Sequence, residues 1–433
     1  MTVEAGANRQ PHVQPHAEGP LDTPRPTGIR AAERALAPDL GRGLMLLFIA
    51  MSNTAFHLWN SEYGPSGWQP VTGNWLDHTV QFAMIVGLDL RVYPLFAFLF
   101  GYGMMQLFLR QKASGQDERA VVRLLRRRSL WMIVIGFAHA SLLMAGDIIG
   151  FYGLVSLVLG WLFLRRSDRA LKWWIGTAAA VLVVLAAAPF VATALTGGDV
   201  WSMGDAGADP GGEAYAAGEE SWLAAAGTRM TTGLFLIGVA APLVLVSGGF
   251  VIFLVGYWAA RRRILEEPGR HLKLLRRTAV IGTGIGWLGA LPAALAHVGA
   301  LDVPADAESD TGVLFTLRDV TGNVAGLGYI AAVALFVHWW TRRPHRRGAR
   351  AITAVSAVGK RSLSCYLTHS LLFAPLLAAW GLGLGGHLSS ASMVLVALAV
   401  WLVTVAGAYA LELRGKRGPA EAVLRRLMYA KRT

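Results

Sequence analysis

Long apolar stretches alternate with short, charge-dense ones along this chain. The apolar stretches fall at about 40–59, 90–109, 129–146, 148–164, 173–195, 233–259, 278–298, 322–340, 362–380 and 391–411. Each is near the roughly 20 residues a helix needs to cross the hydrocarbon core of a bilayer. Inside that core no water is available to bond the backbone, so spanning stretches of this kind must be helices. The alternating period of a membrane barrel is missing from the sequence. The pattern predicts an all-α, polytopic integral membrane protein with about ten transmembrane helices. The stretch 76–89 reads as an interfacial helix ahead of the second span, and Gly146 and Asp147 mark a tight hairpin between the third and fourth.

Charge orients this arrangement. Only 15% of the 433 residues are charged and 54% are hydrophobic, against about 25% charged in soluble domains. With both termini placed in the cytoplasm, the segments 1–39, 110–128, 165–172, 261–277, 342–361 and 414–432, together with Arg42, hold all but three of the 40 Lys and Arg. The exceptions are Arg91, Arg229 and Arg318, all on the outer side. Basic residues are retained in cytoplasmic loops, so the net charge of +13 reflects topology rather than a nucleic-acid partner. The outer loops 196–231 and 299–320 are acidic and rich in Gly and Ala, as surface loops without a function would be. Residues 1–35, rich in Pro, His and Arg, read as a disordered cytoplasmic tail. Residues 36–412 form the membrane domain and 413–433 a basic cytoplasmic tail. The single cysteine, Cys365, excludes an intrachain disulfide.

Polar residues inside membrane segments are costly, and each requires a reason. Asp39 and Arg42, three apart at the inner end of the first helix, share a face. They form either an anchoring ion pair or a site for a phosphate or polar headgroup. Asn53 and His57 lie near the outer end of the same helix, with Glu62, Asp77 and His78 close in sequence. A histidine titrates near neutral pH and can serve as a general base, although an interfacial histidine is often structural. Arg91 opens the second span and calls for a partner, either Asp147 or an anionic substrate. Asp147 sits at the hairpin turn, where it would cap the following helix, and His139 lies about two turns deeper. Near the C-terminus, Ser362, Tyr366, His369 and Ser370 fall on roughly one helix face. No HExxH or paired-cysteine pattern points to a metal, and no nucleotide-binding loop is present.

These segments together resemble the YeiB family, whose C-terminal part, about 240–430 here, is a domain of unknown function numbered 418. An Asp-x-x-Arg-Gly helix ending in Asn is matched by Asp39, Arg42, Gly43 and Asn53. An Arg…Phe-x-x-Leu-Phe-Gly-x-Gly segment is matched by Arg91, Phe96, Leu99, Phe100, Gly101 and Gly103. His139, Ala140, Gly146, Asp147, Ile148 and Tyr152 match a His-Ala…Gly-Asp-Ile-x-x-x-Tyr segment. Gly359, Leu363, Tyr366, Leu367 and Ser370 match a later motif from which Lys360, Ser364, Cys365 and His369 depart. Gly418, Pro419, Glu421, Arg425 and Tyr429 match the last. The family in turn resembles the transmembrane acyltransferases, which acylate an acceptor across the membrane from a cytosolic acyl-CoA. The resemblance implies transfer from acetyl-CoA or a similar thioester, without a metal, to a small-molecule or glycan hydroxyl or amine outside a bacterial cytoplasmic membrane. His57 or His139 would be the base, oriented by Asp147. Arg91, Asn53, Tyr152, Tyr366 and His369 would face the acceptor, and Asp39 and Arg42 the donor. A transporter or flippase for a polar or lipid-linked metabolite is the alternative, with the same polar residues lining a path.

Overall fold

The computed structural model describes residues 36–66, 68–204, 212–343 and 348–430. The expected N-terminal tail, 1–35, lies outside the described residues. Among the described residues the chain is helical, and its one β-bridge is an isolated pairing of Tyr63 with Pro70.

Helix α1 (Leu36–Asn53) leads through an irregular stretch to α2 (Trp75–Gly87), which turns through Leu88–Arg91 into α3 (Val92–Ala113). Leu90 takes a left-handed conformation at that turn, φ 60°. Helices α4 (Glu118–Leu142) and α5 (Ile148–Phe163) form the expected hairpin and are followed by α6 (Asp168–Leu195). The outer segment carries a short α7 (Gly212–Tyr215). Then come α8 (Trp222–Phe235), a π turn, α9 (Ala241–Val246) and α10 (Val251–Arg261). Next are α11 (Leu272–Arg277), a second π turn, α12 (Thr283–His297), the short α13 (Ala305–Glu308) and the long α14 (Val313–Thr341). The chain closes with α15 (Ala349–Lys360), α16 (Ser362–Leu377), α17 (Ser390–Leu413) and α18 (Pro419–Tyr429).

Among the described residues, six helical stretches are long and apolar enough to cross a membrane: Trp75–Ala113, Asp168–Leu195, Trp222–Val246, Leu272–His297, Ala305–Thr341 and Ser390–Leu413; α5, α10 and α16 are shorter and also apolar. The fold is that of a multi-pass, all-α membrane protein. Helix α6 exposes Val183, Val184 and Leu185, as a lipid-facing helix does. The basic-loop ends of the helices are called inner below, and the opposite ends outer.

Two stretches depart from the sequence pattern. The span expected at 233–259 starts earlier, at Trp222, and is broken at Ser247–Phe250. Gly248 has φ 83°, and a side chain there would meet the Ala178 carbonyl of α6 at 2.2 Å. The span expected from 322 begins at Val313, so Arg318 belongs to the helix rather than to the acidic loop. A charged residue within the first turns of an apolar helix displaces its apparent start.

The interior is built by close helix contacts. Gly101 of α3 lies against the Phe253 carbonyl of α10, and Gly256 of α10 against the Phe98 carbonyl of α3. Helices α1 and α15 meet through Gly43, against Val355, and Gly359, against the Asp39 backbone. Small residues allow this approach, which recovers packing where lipid supplies no hydrophobic force between helices. Leu46, Leu99, Tyr102, Met105, Phe253 and Leu254 form the centre of the packed core.

Candidate active site

The outer ends of α4 and α5 carry the most organised polar group. Asp147 is the N-cap of α5, and its Oδ2 accepts the Gly150 N–H at 2.6 Å. Its Oδ1 lies 2.8 Å from His139 Nδ1, with both side chains buried. Asp147 therefore caps α5 and at the same time holds the His139 ring. Gly136 makes room for this: a side chain there would meet Asp147 Oδ2 at 2.4 Å and the Gly150 amide at 2.0 Å. The carboxylate can only accept, so His139 Nδ1 carries the proton toward it. Nε2 is then left as a buried lone pair without a partner. The Tyr366 ring sits beside the imidazole, with centroids 5.1 Å apart, and Tyr366 Oη takes the Ile148 N–H at 3.4 Å.

Helix α16 extends this group along one face. His369 Nε2 is 3.2 Å from Thr404 Oγ1, whose own proton goes to the Trp401 carbonyl. His369 Nε2 thus donates, and its buried Nδ1 has no partner. Phe373 packs between His369 and His57, with ring centroids 6.2 Å and 6.0 Å away. His57 is buried, and neither ring nitrogen finds a partner. Asn53 points toward the hairpin and donates weakly to Met144 Sδ at 3.9 Å.

A piece of the acidic outer segment covers this region. Tyr215 stacks on Phe56 at 4.2 Å and lies against Gly146. The Ala217 carbonyl accepts the Ala379 N–H at 2.8 Å. The sequence reading assigned this segment no role; its low complexity hid Tyr215.

Arg91 does not pair with Asp147. Asp147 bonds His139 and Gly150, while Arg91 donates to the Asp89 carbonyl and, at 2.8 Å, to the Gly286 carbonyl of α12. The bend before α3 turns Arg91 toward α12 and α14, away from the hairpin. Tyr152 also faces elsewhere. It donates to the Tyr93 carbonyl at 3.1 Å and packs among Phe96, Phe100 and Phe151. Asp39 and Arg42 form an ion pair at 3.0 Å at the inner end, where Arg42 lies against Gly103.

The three arginines that break the charge rule are all buried, at 0%, 1% and 2% exposure for Arg91, Arg229 and Arg318. Arg229 bonds the Ser141 and Leu142 carbonyls at 3.3 Å each, which caps the C-terminus of α4 just beyond His139. It is also the charge that acts on His57. Two further residues, Asp89 and Glu421, have no structural role in the sequence reading. Asp89, two residues before Arg91, accepts from Ser52 and Gln69 at 2.9 Å each. Glu421 caps the N-terminus of α16 from α18: it accepts the Leu363 and Ser364 N–H groups at 2.9 Å and 3.2 Å and the Ser364 hydroxyl at 2.5 Å.

Fold and site together define a helical multi-pass membrane protein with a buried, carboxylate-oriented histidine at its outer end. Residues 259–431 match the family described as DUF418, protein of unknown function. The chain is 26% identical to the uncharacterized protein YxaH of Bacillus subtilis (strain 168) over 71% of its own length and 72% of that protein. It is 24% identical to the uncharacterized protein YeiB of Escherichia coli (strain K12) over 91% of its own length and 96% of that protein. The chain is thus similar to YxaH and YeiB, and its C-terminal part carries the DUF418 match. No solved structure matches it.

Proposed function

We propose that this protein is a membrane acyltransferase of the bacterial cytoplasmic membrane, moving an acyl group from a cytosolic acyl-CoA to an extracytoplasmic hydroxyl or amine. The observation that carries this reading is the His139–Asp147 pair, with Nδ1 held by the carboxylate and Nε2 left free in a buried setting. That is the arrangement a general base needs: one nitrogen oriented, the other available to a proton.

In the proposed step the acceptor O–H or N–H gives its proton to His139 Nε2. The acceptor atom attacks the thioester carbonyl carbon and the C–S bond breaks. The CoA thiolate then takes the proton from the imidazolium. The charge held on Asp147 stabilises that imidazolium, and Tyr366 confines it. His369 on α16 and His57, just beyond the end of α1 and across Phe373 from it, would contact the acceptor.

The inner end matches the donor's charge. A cavity between α4 and α5, of about 650 Å³ including its mouth, is lined by Arg119, Arg123, Arg126 and Arg165, with the exposed Trp161 at its rim. Guanidinium groups suit the phosphates of CoA, and an indole face suits a planar base. The Asp39–Arg42 pair fixes the neighbouring end of α1. Proteoliposomes given acetyl-CoA on the inner side and a small alcohol or amine outside should release CoA thiol. No thiol release above that of empty liposomes, across several acceptors, would remove the reading.

A further inference from the structure

We propose that a small cavity at the outer end of the bundle, distinct from the His139 site, binds an oxyanion such as phosphate, sulfate or carboxylate through Arg318. The proposal does not rest on the acyl-transfer reading.

The cavity is bounded by Ser66, Ala293 and His297, with Glu308, Phe315 and Arg318 from the α13–α14 region. The 260 Å³ of empty space there is mostly open mouth, and the enclosed part has room for only one small group beside the guanidinium. A small oxyanion, or the anionic end of a larger ligand, would therefore sit partly in the mouth.

Arg318 is 2% exposed, and its guanidinium lies over the Phe315 ring, 5.2 Å from the centroid. Nε and Nη2 are both buried and neither has an acceptor. These two donors form the side-on edge of the guanidinium, the edge that grips an oxyanion through two parallel hydrogen bonds. A buried cation with idle donors is costly, so this edge implies a ligand.

Neighbouring carboxylates do not fill the role. Asp89 spends its two oxygens on Ser52 and Gln69, both neutral donors. Asp319 accepts from Tyr93. Both act on Arg318 through space, yet among the described residues Arg318 makes no ion pair. Arg91 adds a second buried cation acting on Arg318, and its own Nε is idle. His297 closes one wall, held by its Nε2 at 3.0 Å from the Pro70 carbonyl. Glu308 faces the same cavity and opposes an anion, which makes it the residue that weakens binding.

The test uses the full-length protein in phosphate-free maltoside detergent. Thermal unfolding is followed while inorganic phosphate, sulfate or glycerol phosphate replaces chloride at constant ionic strength. Stabilisation by inorganic phosphate or sulfate identifies a free anion as sufficient. Stabilisation by glycerol phosphate alone places the anionic group on a larger ligand. Arg318→Gln should weaken binding about tenfold or more, the loss expected when charge-assisted hydrogen bonds are removed. Glu308→Gln, which keeps the volume and removes the opposing charge, should tighten it. Should Arg318→Gln not fold, Glu308→Gln decides alone. The proposal is overturned if no oxyanion stabilises the wild type beyond chloride, or if Glu308→Gln leaves the response unchanged. An unchanged response in a folded Arg318→Gln protein also overturns it.

Discussion

Substituting Gly359 by alanine should push α1 and α15 apart. The new Cβ would lie 1.7 Å from the Asp39 carbonyl oxygen, half the 3.4 Å at which ordinary contact begins. The atom it meets is backbone, so no rotamer change relieves the clash. One turn further along the same contact, a Cβ at Gly43 would lie 2.1 Å from the Val355 carbonyl oxygen. Overpacking of this kind costs about 1–3 kcal/mol, and a backbone collision belongs at about 3 kcal/mol. The same helix separation relieves both clashes, so the Gly43→Ala, Gly359→Ala double variant should cost about 1–2 kcal/mol less than the sum of the singles. Reversible unfolding of the purified protein in detergent, by denaturant or temperature, measures all three. A Gly359→Ala protein within about 0.5 kcal/mol of wild type, the range of a neutral surface change, would refute the packing argument. Strict additivity would refute the shared contact.

Glu421→Ala should free the first turn of α16, costing about 1–2 kcal/mol as loss of a helix cap does, with faster amide exchange at 363 and 364 and easier proteolysis of the 414–430 segment; unchanged exchange would mean that α18 does not hold α16. Arg229→Gln should uncap α4, lowering stability by about 1–2 kcal/mol and raising exchange near Leu142 and Leu143, and a protein as stable as wild type would contradict this. Asp147→Asn keeps the α5 cap acceptor but turns the His139 tautomer, so it should fold normally and lose about 10²–10⁴-fold in turnover; wild-type turnover would separate Asp147 from the chemistry.

The helices were legible because bilayer length and charge placement constrain them together, and the hairpin at Gly146–Asp147 followed from two turn residues. Spacing also placed Asp39 beside Arg42 and put Tyr366 and His369 on one face. Partner choice across the bundle was not legible. Arg91 and Asp147 share an outer depth, yet a left-handed turn at Leu90 sends Arg91 to α12, and no local pattern announces that rotation. The break at Gly248 and the early start of α14 were hidden for a similar reason: hydropathy averages over a bend and over a single buried arginine. The trio Arg91, Arg229 and Arg318 was a signal only partly read: Arg91 has an expected partner in the sequence reading, while Arg229 and Arg318 have no role. Cations on the wrong side of a membrane protein are either bound to something or buried, and all three are buried. Tyr215 carried no signal in sequence, because its role arises only when an outer segment folds back over the hairpin.

If His139 is the base of an acyl transfer, removing its imidazole should slow transfer while leaving the donor bound. Proteoliposomes of wild-type and His139→Gln protein, matched for amount and folding, are given acyl-labelled acetyl-CoA inside and an amine or alcohol acceptor outside. The wild type should yield labelled acceptor outside and CoA thiol inside in equal amounts. The variant should bind the donor normally and transfer at least about 10²-fold more slowly, the range expected for loss of a general base. Equal transfer by the two proteins would mean that His139 is not the base.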